Sequence, residues 1–599
     1  MTVEHFQAPD APGFKLDPRV VAAFGRFAGG FWRGASAARA WTLTLGLALF
    51  LILSTAATVA LNQWNRWFFD SLESRDVEGL THAVFVFALI IIAMAAVGVG
   101  IVLTRETLQV DWRAWIVRHL VDRWLSRQRF YHLNVTGKEP PNPEYRISDD
   151  TRWATEPLVD LGIGLVLAVV GAAAFISILW TVGGSFTLEL GSLGPVTIPA
   201  YMVLVALTYG LLASGLMLWV GAPLVGYVGR KNEAEGYFRF AMMRIRDNAE
   251  SVALMNGARY EQAVLGRFYD TVVARWMAIV WQHGHLTWIT NASGPMIPIV
   301  PLLFAAPKYI SGELSLGQVT QLAAAFVQVQ IAISWVVDNY NRVAEWYASA
   351  RRVMDIVTAC AAIDPDIEAI SPTPARPAPG KGAAVRLSDF EIADGSGRPL
   401  LSGEDLAARP GEAVHVHGDS STGKSTLVRV FAGLWPTARG KLTLPDRSEV
   451  MIAPQKSYLP LGSLRGALLY PDPALKMPDE LLKSALETMD LAALGGRLDE
   501  VARWDQVLSN GERQRLAMAR LLIHRPRVII LDDALSALEE VAQSALIARL
   551  RMELPEATVV SLAQRPAPPG GHDRQLMLQR RAGRPILVGG KEPVLAEAD

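Results

Sequence analysis

The chain has 599 residues, too many for one compact domain, and 51% of them are hydrophobic, with a positive mean hydropathy. Its formal net charge of −1 argues against a nucleic-acid binder, which carries a basic bias. A single cysteine, Cys360, excludes an intramolecular disulfide framework.

In chain order, Met1 to Gly13 is polar and lacks the charged-then-apolar pattern of a cleaved signal peptide. Phe14 to Ala40 mixes Phe, Val and Trp with Arg, which predicts an amphipathic elbow helix lying on a membrane surface. Residues 1–40 are therefore read as tail and elbow, and residues 41–362 as a membrane domain. Six apolar runs follow at roughly 41–62, 82–104, 157–181, 199–221, 281–307 and 316–337. Each is near the ~20 residues that cross a hydrocarbon core. Ala83 to Thr104 holds no charge at all, so the lipid bilayer is the expected surrounding.

Lys and Arg set the orientation. The 105–156 segment carries Arg105, Arg113, Arg118, Arg123, Arg127, Arg129, Lys138, Arg146 and Arg152, and 222–280 has a similar excess. The other connections together hold only Arg66, Arg75 and Lys308. Both basic segments and both termini are expected on the cytoplasmic side, with spans 2 to 5 continuing there as helices. Span 5 carries Gln282, His283, His285 and Asn291, and then Pro295, Pro298 and Pro301, which should bend it. Span 6 carries Gln318, Gln321, Gln328, Gln330, Ser334 and Asp338 at helical spacings. Two readings of these polar groups stand: hydrogen bonds between helices, or the wall of a hydrophilic substrate cavity. The cavity set is Gln321, Gln328, Gln330, Ser334 and His283.

Residues 363–384, rich in proline, read as a linker, and 385–599 as an α/β nucleotide-binding domain. Val414 to His417 predicts a buried strand and Thr426 to Leu434 a helix. Between them runs a phosphate loop: Gly418, Asp419, Ser420, Ser421, Thr422, Gly423, Lys424, Ser425 and Thr426. Its N–H groups would bind the phosphates of ATP. Lys424 would reach the β- and γ-phosphates, and Ser425 would ligate Mg²⁺. Val528 to Leu531 predicts an apolar strand ending in Asp532, placed to hold Mg²⁺ through its water shell. Gln455 lies between these motifs as a candidate Mg²⁺ sensor, and Ser509, Asn510, Gly511 and Glu512 precede a predicted helix over 513–522.

These motifs, in this order, resemble the ATP-binding cassette transporters over nearly the whole chain. The membrane half narrows the likeness through Leu61–Asp70 (Leu-Asn-Gln-Trp-Asn-Arg-Trp-Phe-Phe-Asp), Trp124–Leu125, Tyr131, Asn142–Ile147 and Asn248–Leu254. The cassette adds Tyr458–Arg465 and Leu469–Pro471. The chain is similar to the BacA-type (SbmA/BacA-related) peptide transporters with a fused cassette, relatives of the peroxisomal fatty-acyl half-transporters. The resemblance implies a polytopic α-helical membrane domain of six spans, exporter-type, fused to an α/β P-loop domain. It implies a dimer of half-transporters in a bacterial inner membrane, a homodimer or a heterodimer. In it Ser509 and Gly511 contact the γ-phosphate bound to the opposite subunit, and residues 142–147 and 235–240 form coupling elements. The cargo it implies is peptides, antimicrobial or bleomycin-like, or other bulky hydrophilic compounds.

Two positions depart from the family. Its water-orienting Glu is Asp533 here, and its switch His is Gln564, which can donate a hydrogen bond but cannot become cationic. Ile392 or Ala393 stands where many cassettes stack adenine on an aromatic ring. Slow hydrolysis in a homodimer, a degenerate subunit beside a complete partner, and an ATP-binding switch are the three readings of the motor. A lipid or fatty-acyl transporter and a non-transporting regulatory subunit are the functional alternatives.

Overall fold

The computed structural model describes residues 17–189, 195–370, 384–393, 399–419, 422–435, 438–472, 474–567, 570–581 and 584–589. Ser420 and Ser421 of the phosphate loop therefore lie outside the described residues, as does most of the proline-rich stretch. By its internal contacts the chain divides into two compact units. One is Met1–Ser126 with Glu139–Cys360, and the other is Arg127–Lys138 with Ala361–Asp599.

In the first unit, α1 (Pro18–Ala28) starts at Asp17, whose carboxylate accepts from the Arg19 N–H at 2.9 Å. A 3-10 turn over Gly29–Trp32 follows, and its Trp32 ring packs edge-on against Trp112. A helix thus stands where the elbow was expected, and the next helix begins at Ala37, before residue 41. Six helical segments are long and apolar enough to cross a membrane, and each of the six runs read from the sequence falls on one. They contain α2 (Ala37–Glu73), α3 (Val77–Leu125), α5 (Thr151–Gly183), α6 (Tyr201–Gly221) with α7 (Leu224–Asp247), α8 (Ala258–Ser293) with α9 (Met296–Ile310), and α10 (Leu316–Asp338). The short helix Arg129–Val135, α4, belongs to the second unit. Residues 235–240 lie inside α7, and 142–147 form a tight turn from Asn142, at φ 53°, into a π-helical stretch. The proline-bent span 5 is interrupted at Gly294–Pro295, between α8 and α9.

The core of this unit is Phe175, Leu179, Met202, Ala206, Leu322 and Phe326, while Phe85, Leu89 and Ile92 of α3 face outward. The end of α2 caps the start of α10. Asp70 Oδ1 accepts from the Gly317 N–H at 3.1 Å, and Glu73 Oε2 accepts from the Leu316 N–H at 2.9 Å. A Cβ at residue 317 would lie 2.2 Å from the Arg66 carbonyl oxygen, which is backbone and cannot swing aside. Gly317→Ala should therefore lower the thermal midpoint of the detergent-solubilised protein, at a cost of about 1–3 kcal/mol. An unchanged midpoint would show that the α2–α10 contact is looser than it is drawn here.

The last helix, α11 (Tyr340–Ile370), runs past residue 363, where proline content placed the start of the linker. Ile363 and Ile367 are buried, and Asp364 forms a two-pronged ion pair with Arg129, at 2.6 and 3.1 Å. These anchors outweigh the helix-breaking tendency of Pro365.

The second unit holds a nine-stranded sheet. After the antiparallel pair β1 (Ser185–Glu189) and β2 (Pro195–Pro199) of the first unit, its strands are β3 (Val385–Ala393), β4 (Pro399–Ala408), β5 (Ala413–Gly418), β6 (Ala438–Thr443), β7 (Val450–Ala453), β8 (Val528–Asp532), β9 (Thr558–Ala563), β10 (Arg574–Arg581) and β11 (Arg584–Gly589). The spatial order is β6-β3-β4-β11-β10-β5-β9-β8-β7. The β7, β8, β9 and β5 strands pair in parallel, so both faces are covered and the strands read as continuous apolar runs. Val528 and Ile530 enter one core while Ile529 and Leu531 enter the other. Helices α12 (Lys424–Phe431), α13 (Leu464–Leu469), α14 (Asp479–Thr488), α15 (Asn510–His524) and α16 (Glu540–Glu553) complete the unit.

Candidate functional site

The loop between β5 and α12 is built by two glycines. Gly423 sits at φ 94°, in the left-handed region that favours glycine. A Cβ on Gly418 would lie 2.7 Å from the Leu578 carbonyl oxygen. No side chain caps α12, so its first N–H groups stay available to an anion. The Lys424 ammonium is buried and donates to the carbonyls of Gly418 and Asp419, at 2.5 and 2.6 Å, and to Thr422 Oγ1 at 3.3 Å. Thr422 Oγ1 in turn donates to the Asp419 carbonyl at 2.8 Å. An ammonium whose partners among the described residues are neutral oxygens is a site that an anionic phosphate would improve.

Three charged groups surround this loop. Burial pushes the Lys424 ammonium below its ordinary pKa, opposed by Asp533, Asp419 and Asp532. Burial raises the Asp532 carboxyl, and Asp533 adds to it, against Arg429, a hydrogen bond from Ser425, and Lys424. Burial likewise raises Asp533, opposed by the Gln564 backbone N–H and by Lys424. Ser425 lowers the Asp532 carboxyl, so the two residues read as Mg²⁺ ligands act on one another. Two hard oxygen donors beside an open phosphate loop fit a Mg²⁺ that keeps most of its waters.

Asp533 follows β8 with φ 46°, a left-handed conformation for a residue with a Cβ, and its N–H donates to the Leu562 carbonyl at 2.8 Å. Gln455, just past β7, lines one cavity of about 380 Å³ together with Asp533 and Gln564. The three residues read as catalytic thus come together. Ser509, Asn510, Gly511 and Glu512 do not join them. Ser509 is the N-cap of α15: its Oγ accepts from the Glu512 N–H at 3.3 Å, and Glu512 Oε2 accepts from the Ser509 N–H at 2.8 Å. Among the described residues no hydrogen bond or ion pair links Ser509–Glu512 to the phosphate loop of the same chain. Ile392 is fully buried in the sheet core, so it offers adenine no surface.

The substrate-cavity set divides. Gln330 is buried and its Nε2 donates to the Ala206 carbonyl at 2.8 Å, and Gln282 donates to the Val220 carbonyl. Gln321 is buried, and its main-chain carbonyl accepts from Asn62 Nδ2 at 3.1 Å. Gln330 is therefore corrected from cavity wall to helix contact, because its side chain bonds α6, and Gln321 from cavity wall to a buried position. Gln328 and Ser334 are half-buried and His283 is exposed.

Residues 35–310 match the family model described as ABC transporter transmembrane region 2, and residues 401–536 match that described as ABC transporter. The chain is an ABC transporter with a membrane region and an ATP-binding domain. It is 28% identical over 549 residues to an uncharacterized ABC transporter ATP-binding protein of Synechocystis sp., covering 90% of this chain and 80% of that one. It is 26% identical over 513 residues to the inner membrane ABC transporter ATP-binding protein YddA of Escherichia coli, covering 85% and 88%. With ATP-binding cassette sub-family D member 3 of Homo sapiens it shares 25% over 478 residues, 72% and 68% of the two chains. The transporter has six candidate spans followed by the α/β cassette, the order of an exporter-type half-transporter, and its general activity is ATP hydrolysis coupled to transport.

Motif reading missed a group behind Asp533. His415 and His572 lie with ring centroids 4.9 Å apart, and His572 Nε2 is 2.8 Å from Ser561 Oγ. The available signal was a pair of histidines in an otherwise apolar strand, Ala413–Gly418. Burial, then His415 and Arg551, push His572 down to about 3, against Asp573. His572 is therefore neutral when folded, and takes up a proton near 6.5 only when unfolded. The stability this gives is present above pH 6.5 and is lost as pH falls towards 3. The cassette of the transporter should be destabilised by roughly 1 kcal/mol at pH 5.5 relative to pH 8 from this group alone. Thermal melts of wild type and His572→Gln at the two pH values test it, and equal pH sensitivity in both would refute it.

Proposed function

We propose that two copies of this chain form an ATP-driven transporter of a bacterial inner membrane, with both termini cytoplasmic, that imports peptides or similarly bulky hydrophilic compounds. The observation that carries the two-chain reading is the separation within one chain of Ser509–Glu512 from Gly418–Ser425. A second chain would then supply the signature segment to each phosphate loop.

In this reading the α12 N–H groups and Lys424 bind the ATP phosphates, and Ser425, Asp532 and Gln455 would hold Mg²⁺. Bound there, Mg²⁺ would neutralise charge on the phosphate oxygens. Asp533 orients the attacking water, and Gln564 donates to the γ-phosphate. Nucleotide binding closes the two cassettes and hydrolysis reopens them.

The peptide cargo is supported by the BacA-type motifs and by the polar groups left for a cavity, Gln328, Ser334 and His283. A lipid or fatty-acyl cargo is the second reading, favoured by the burial of Gln321 and Gln330, which makes the remaining wall more apolar. Proteoliposomes separate them. Uptake of labelled peptide together with peptide-stimulated ATPase is expected. Stimulation by acyl-CoA and not by peptides would replace the peptide reading with the lipid one.

A further inference from the structure

Strand β5 reads Ala-Val-His-Val-His-Gly, and a strand buried between parallel neighbours has no packing need for histidine. Val414 and Val416 enter the core on one side of the sheet. His415, alternating with them, faces the other side. It is 5% exposed, and it lines the same cavity as Asp533 and Gln564.

Its Nε2 lies 2.9 Å from the Arg565 carbonyl oxygen. A carbonyl only accepts, so Nε2 carries the proton and Nδ1 is a lone pair. That Nδ1 is buried and, among the described residues, has no hydrogen-bond partner. Three residues before Arg565, the Leu562 carbonyl accepts from the Asp533 N–H at 2.8 Å, and Gln564 lines the cavity beside Asp533. The imidazole, the 562–565 backbone and Asp533 thus form one connected chain. Its origin is fixed by the sheet, where Ser561 stands directly opposite His415 in the β5–β9 register and holds His572 against it.

We propose that His415 is a positioning residue for ATP hydrolysis, fixing the 562–565 backbone and, through it, Asp533. The proposal rests on Asp533 being the group that orients water. A short carboxylate has little reach of its own, and Gln564 brings no positive charge to hold it. A donor anchored in the sheet supplies the fixed point. Burial keeps the His415 ring neutral, its pKa below the ordinary value, with the Arg565 carbonyl opposing and His417 adding.

Full-length protein in nanodiscs carrying His415→Leu or His415→Gln tests this. Glutamine keeps an N–H donor near the Nε2 position, whereas leucine fills the space without one. We expect kcat to fall about tenfold in His415→Leu with KM for ATP and the thermal midpoint held, and most of the loss to be recovered in His415→Gln. Without nucleotide, amide exchange over residues 561–567 should quicken in the leucine variant and stay near wild type in the glutamine variant. Equal loss in both variants overturns the proposal, because the ring and not its donor would then matter. Unchanged kcat in both also overturns it. If the wild type hydrolyses no ATP, the reading of Asp533 fails, and the exchange comparison alone decides whether His415 holds the loop.

Discussion

Lys424→Ala reduces ATP hydrolysis by the full-length transporter at least about 100-fold. The reason lies in the state of the ammonium before nucleotide arrives. It is 8% exposed and, among the described residues, donates only to the Gly418 and Asp419 carbonyls and to Thr422. Phosphate oxygens carry charge and make stronger acceptors, so binding ATP turns weak contacts into charge-assisted ones. Alanine removes that gain. It also removes a buried cation whose pKa burial already lowers, so the nucleotide-free protein should melt no earlier than wild type. Two measurements check this: steady-state ATPase, and the rise in melting temperature on adding ATP, which follows from binding to the folded state. A variant that kept both the wild-type rate and the wild-type rise would remove Lys424 from the site.

Asp533→Glu combined with Gln564→His should raise the ATPase rate about 10- to 100-fold. Asp533 is one methylene shorter than the family glutamate, a retreat of about 1.5 Å on single-bond geometry. Misplacement of about 1 Å can cost ~100-fold in rate. The structure adds two facts. The Asp533 N–H is tied to the Leu562 carbonyl, and the residue sits at φ 46°. The tie is made by the backbone, so it survives in the histidine variant, and a longer side chain extends from the same strained anchor. Asp533→Asn alone should abolish the remaining activity. A double variant no faster than wild type would show that other groups limit the rate, and an Asp533→Asn protein as active as wild type would remove Asp533 from the mechanism.

Much of this was legible in single stretches of sequence. The spans declare themselves because transfer of ~20 apolar residues into hydrocarbon is a local property. The phosphate loop does too: its glycines answer to backbone conformation, as the φ of Gly423 and the crowding at Gly418 bear out. Val528 to Asp532 read as a buried strand because a parallel strand covered on both faces must be apolar throughout.

The partners of individual side chains were not legible, because packing chooses them. Helical spacing put Gln330 and Ser334 on one face, but only the seating of α6 against α10 decided that Gln330 bonds Ala206 and does not line a cavity. Pro365 read as a helix breaker, but buried isoleucines and the Arg129–Asp364 pair carry the helix on to Ile370. His415 read only as part of a buried strand, and sheet register set it opposite Ser561 and beside Arg565. Sequence alone determined the machine, since solvent transfer and backbone geometry are written locally. Tertiary structure decided what holds Asp533 in place, since that contact joins residues far apart in the chain that only the folded sheet brings within hydrogen-bond reach.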